Sequence, residues 1–75
     1  MIRRIKVTAN EYAHDNYSEY FKNAHKFEVV CECEKQESDT ESVLSLNGSR
    51  EKIMNFVIYL MMKDLKIKHL SNPCR

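Results

Sequence analysis

"SVLSLNGSREKIMNFVIYLMMKDLKIKHL", residues 42–70, decides the fold. Its two ends alternate and its middle does not. "SVLSLN" sets Leu44 and Leu46 on one side, the pattern of a half-buried strand. It stops at Asn47-Gly48, a strong turn signal. Ser49 is placed to cap a helix that opens with Arg50 and Glu51 and runs to about Lys63 or Asp64. "LKIKHL" then alternates again and predicts a closing strand.

Working outward from this core, "KFEVVCECE" (26–34) predicts a strand with Phe27, Val29, Cys31 and Cys33 on its apolar face. Lys26, Glu28, Glu32 and Glu34 take the other face, with Val30. "KQESDTE" reads as a polar loop. Further back, Thr8 and Glu11 have capping-box spacing. Ala13, Tyr17, Tyr20, Phe21 and Ala24 then recur at steps of three and four, an amphipathic helix from Glu11 to about Ala24. "IRRIKVT" predicts the first strand, with Ile5 and Val7 against Arg4 and Lys6.

The order is β-α-β-β-α-β. The expected class is α+β, with two helices on one face of a four-stranded antiparallel sheet. This order of elements resembles the ferredoxin-like class, whose usual topology sets the last strand beside the first. Many unrelated functions share that scaffold, so the resemblance implies a fold and no activity.

A chain of 75 residues makes one domain, here residues 1–70 followed by the polar tail "SNPCR", 71–75. One small core supplies roughly 3–5 kcal/mol, and chains of this size often lean on disulfides, a metal or a partner. The three cysteines, Cys31, Cys33 and Cys74, are odd in number, and no stretch reads as a secretory leader. We therefore expect a reducing, cytoplasmic setting. The longest apolar run, Phe56 to Met62, is too short to span a bilayer.

The predicted second helix raises a question. Between Lys52 and Lys63 every residue except Asn55 is apolar. On a wheel of about 100° per residue, Ile53, Phe56, Val57 and Leu60 form one stripe, suited to the sheet. Met54, Ile58, Met61 and Met62 form a second, flanking stripe, joined by Leu65 if the helix extends that far. Two readings follow. Either the second stripe fills the groove between the helices, or it is a docking surface for a protein or a second copy of the chain. Methionine suits such surfaces because it repacks at low cost.

The net charge of +1 hides an uneven distribution. Residues 28–41 carry six acids, Glu28, Glu32, Glu34, Glu37, Asp39 and Glu41, against the single base Lys35. This acidic stretch is a second candidate protein-binding surface, or a charged edge that discourages stray strand pairing. With the first and last strands as neighbours, Arg3, Arg4, Lys6, Lys66 and Lys68 gather into a basic patch on the open sheet face. Such a patch suits phosphate contacts. The sheet lacks the central-strand aromatics on which single-stranded bases stack, so nucleic-acid binding ranks second.

No stretch carries a catalytic signature. Cys31 and Cys33 share a strand face, but zinc needs two further ligands, and His14, His25, His69 and Cys74 are scattered. The two cysteines read as small core hydrophobes. His14 has no nucleophile placed beside it, and His25 reads as a helix-end cation. The lone Gly48 rules out a glycine-rich phosphate loop. The expectation is a non-enzymatic inhibitor, adaptor or regulator, of the size typical of phage and mobile-element proteins, with no cofactor and no metal.

Overall fold

The structure, a computed structural model, describes residues 1–10 and 17–70. It contains β1 (Ile2–Ala9), α1 (Tyr17–Phe21), a 3-10 segment (Lys22–Phe27), β2 (Val30–Gln36), β3 (Glu41–Asn47), α2 (Arg50–Met62) and β4 (Leu65–His69). The four strands form one antiparallel sheet in the order β2-β3-β1-β4. The fold is α+β, with the last strand beside the first.

Alternation fixes which residues are buried. Ile5, Val7 and Ala9 of β1, and Leu44 and Leu46 of β3, turn inward. Ile53, Phe56, Val57 and Leu60 of α2 pack onto them, with Tyr17, Ala24, Val29 and Leu65 completing the core. Each buried Val, Leu, Ile or Phe side chain among them contributes about 1.5–3 kcal/mol by leaving water. The helix starts as its sequence predicts: the Ser49 hydroxyl accepts the Lys52 backbone N–H at 3.2 Å. It ends through Asp64, which holds φ 66° and sends its N–H back to the Met61 carbonyl. Leu65 is thereby freed to enter β4 instead of extending the stripe.

Two expectations are corrected. The first concerns β2, which begins at Val30, four residues later than the alternation predicts. Glu28 holds φ 60°, the left-handed conformation. Its N–H reaches the His25 carbonyl at 3.0 Å, and the Val29 N–H reaches that of Ala24 at 3.1 Å. This paired closure ends the 3-10 segment, with Glu28 in the position where glycine is usual. Phe27 therefore belongs to the helical layer and Val29 plugs the core. Cys31 is half-buried and Cys33 exposed, not core as expected, because β2 is an edge strand that the helical layer covers only at its start.

The second correction concerns the first helix, whose described part is α1 followed by the tighter 3-10 turn. Glu11 to Asn16, including His14, and the tail with Cys74 lie outside the described residues.

Gly48 follows β3 with its N–H on the Met1 carbonyl at 3.0 Å. A Cβ there would lie 3.2 Å from the Glu28 carbonyl oxygen, so the close approach of two backbones is what favours glycine.

Candidate functional site

The flank of α2 that faces the other helical elements is filled by aromatic rings. Tyr59 packs 5.2 Å from Phe27 and 6.3 Å edge-on from Tyr20, measured between ring centroids. Its hydroxyl accepts the Asn23 side-chain amide at 2.6 Å. The Lys63 ammonium lies over both tyrosines, 5.7 Å from Tyr20 and 5.6 Å from Tyr59. The groove between the helices is therefore closed without the methionines.

The methionine stripe lies on the opposite flank, exposed to solvent. Met54 is 36% accessible, Ile58 50%, Met61 56% and Met62 77%, while Ile53, Phe56 and Leu60 on the sheet face are wholly buried. One helix thus carries two apolar faces, of which the fold uses one.

The two charged candidate surfaces partly cancel each other across the open sheet face. Arg4 grips Glu34, with its Nη2 at 3.0 Å from Oε1 and its Nε at 3.1 Å from both carboxylate oxygens. Lys6 meets Glu37 at 2.9 Å. That bond raises the Lys6 pKa and lowers that of Glu37, with Glu41 adding to the attraction on Lys6. Glu28 bonds Lys52 at the start of α2, away from the sheet-face pairs.

Both bridges leap from β1 over β3. Below them Val43 is buried on the face opposite the helices, between Lys6 and Lys35 in the register. Long lysine stems cover apolar surface of this kind. The irregularity in the β2–β3 ladder between Cys33 and Lys35 falls at Glu34, the residue that Arg4 holds.

The remaining candidates are spread out. Glu32 and Asp39 form no ion pair among the described residues, nor do Lys66 and Lys68 on β4. Arg3 leaves the basic patch: it lies in the buried-facing register of β1 and sends Nη1 to His69 Nδ1 at 3.4 Å. His69 itself is exposed.

Cys31 and Cys33 are free thiols. Burial, chiefly, pushes the Cys31 pKa up to about 12, with Cys33 and Glu32 adding to the rise. Among the described residues no three His, Cys, Asp or Glu side chains converge on a common point for a metal. His25 Nδ1 donates to the Lys22 carbonyl at 2.7 Å within the 3-10 turn, a local bond at a helical end.

Sequence reasoning missed one feature. A groove of about 290 Å³ runs between the 3-10 turn and the start of β2, lined by Phe21, Ala24, His25, Val29 and Cys31 among others. It depends on the left-handed turn at Glu28, for which the sequence carries no signal. No described helix is long and apolar enough to cross a membrane.

Comparison with protein-family models, with characterised proteins and with solved structures finds no match.

Proposed function

We propose that this chain is a small, non-enzymatic interaction module that docks another protein through Met54, Ile58, Met61 and Met62. The observation that carries the reading is the exposed second face of α2. A contiguous apolar patch on a small domain marks a contact surface, and methionine lets it adapt to its partner. The topology favours a ferredoxin-like scaffold: β4 lies beside β1, and β2 takes the far edge. The free thiols suit a reducing, cytoplasmic setting.

The acidic segment contributes less than its composition suggests. Glu28, Glu34 and Glu37 already hold cations of their own chain, leaving Glu32, Asp39 and Glu41 for a partner. The nucleic-acid alternative is weakened by the same bonds, which occupy Arg4 and Lys6.

The test is retention of a binding partner by the immobilised chain, with Ile58→Glu and Met61→Glu as comparisons. Both variants should keep their stability within about 0.5 kcal/mol, as expected of exposed sites, and lose the partner. Unimpaired binding by both variants, with the fold intact, would refute this surface.

A further inference from the structure

The sheet has two unlike edges. On β4, the Leu70 N–H donates to the Arg4 carbonyl at 3.0 Å. Antiparallel alternation then turns the amides of Lys66 and Lys68 toward β1, and those of Leu65, Ile67 and His69 outward. On β3, the Ala9 N–H donates to the Thr40 carbonyl, so Ser45 and Asn47 face β2. Their partners Glu32 and Val30 bond inward, which leaves Cys31 and Cys33 with outward amides. Side chains alternate too. Lys66 and Lys68 share the open sheet face with Glu32, and Ile67 shares the helical face with Cys33.

These placements are complementary. β2 runs parallel to β1 and β4 antiparallel to it, so two copies set side by side bring β2 of one against β4 of the next as an antiparallel pair. Cys33 opposite Ile67 and Cys31 opposite His69 exchange backbone hydrogen bonds. Glu32 then faces Lys68 at the closer, non-bonded spacing, where opposite charges attract. Both are free of ion pairs among the described residues.

The helical layers also match. Tyr59 fixes the flank of α2 nearest the 3-10 turn, so the methionine stripe overhangs the β4 side. The open groove lies at the β2 edge. Each copy thus presents the stripe toward its neighbour's groove. Pairing of β4 with β4 about a two-fold axis at full overlap sets Lys66 of each copy against Lys68 of the other, a repulsive arrangement.

We infer that the partner of the α2 stripe is a second copy of this chain, joined head to tail through β2 and β4 into a continued sheet. This rests on the reading of α2 as a protein-binding face and names its occupant. The bulge after Cys33 confines the new ladder to the first half of β2, which makes the contact short and dependent on its charges. Such a heterologous contact is open-ended and grows with concentration.

The test is sedimentation velocity on the full chain over a concentration series, with charge-reversed variants. Wild type should form larger species as concentration rises, and salt should reverse this. Glu32→Lys makes both edges basic, and Lys66→Glu/Lys68→Glu makes both acidic. Each alone should remain monomeric, and their equimolar mixture should regain association. That recovery also shows that both variants are folded.

A wild type that stays monomeric at every concentration overturns self-association, yet leaves capture of a different protein, lost in Ile58→Glu, as the surviving reading of α2. Association undiminished by either charge reversal overturns the edge pairing. Association lost on charge reversal but untouched by Met61→Glu keeps the edges and removes the stripe.

Discussion

The hydroxyls of Tyr17 and Ser42 meet at 3.0 Å inside the core, α1 bonding to β3 through buried oxygens. Ser42 is 2% exposed and Tyr17 5%, so neither has water as a substitute. Tyr17→Phe leaves the Ser42 hydroxyl unpaired and should cost about 1–3 kcal/mol. Tyr17→Phe/Ser42→Ala should cost less than the two single changes combined. Urea denaturation of all four proteins measures the coupling, and strict additivity would show that the bond contributes nothing.

The two faces of α2 should respond differently to truncation. Leu60→Ala opens a cavity beneath the helix and should cost about 2–5 kcal/mol. Met62→Ala removes a side chain already in water and should change stability by less than about 0.5 kcal/mol. Thermal melts distinguish them, and equal losses would contradict the exposed placement of Met62.

Asp64 is strained twice over. It holds a left-handed backbone and sets a carboxylate at the negative end of α2. Asp64→Gly should therefore stabilise the chain by about 1 kcal/mol. Asp64→Ala, which lacks the backbone freedom, should gain less or lose. Denaturation midpoints give the order.

The Lys6–Glu37 bridge makes stability depend on pH in a defined direction. The folded pKa of Glu37 lies below its ordinary 4.5, so the bridge's contribution is present above that pH and is lost as pH falls through the lower folded value. The folded pKa of Lys6 lies above its ordinary 10.5, so the contribution is complete below that pH and is lost as pH rises through the higher folded value. Between these limits it is complete. Glu37→Gln should lower the denaturation midpoint at neutral pH, and the gap to wild type should close in acid. A gap that persists unchanged in acid would dissociate it from this carboxylate.

Thiol reactivity should follow burial. Alkylation at neutral pH in a Cys74→Ser background should label exposed Cys33 well before Cys31, whose pKa is pushed up to about 12. Mass spectrometry after timed quenching reads the order.

Much of this architecture is legible in the sequence because the deciding signals are local. Ser49, Asn47-Gly48 and the alternation of "LKIKHL" each act within a few residues, and α2, β3 and β4 form where they predict. The start of β2 is not legible, because the left-handed residue that ends the preceding 3-10 turn is usually marked by glycine, and here it is Glu28. The apolar alternation from Phe27 to Cys33 reads as continuous although the chain turns in its midst. The exposed α2 face is legible as a set of residues, and only the packing of Tyr59 against Phe27 and Tyr20 shows that the groove is already full. The charged surfaces are legible as composition. Their mutual neutralisation needs the strand order, which is long-range.

The bridges Arg4–Glu34 and Lys6–Glu37 also act as a clasp over β3. β2 hangs on the sheet by a single ladder, and strands in that position fray first. Fastened to β1, which is not its neighbour, through Glu34 and through Glu37 just past its end, β2 lifts away only as these charged pairs are released. Its inward amides at Val30 and Glu32 should therefore resist deuterium uptake better than one ladder predicts. The protection should fade with added salt while the amides of β1, sealed between two strands, keep theirs.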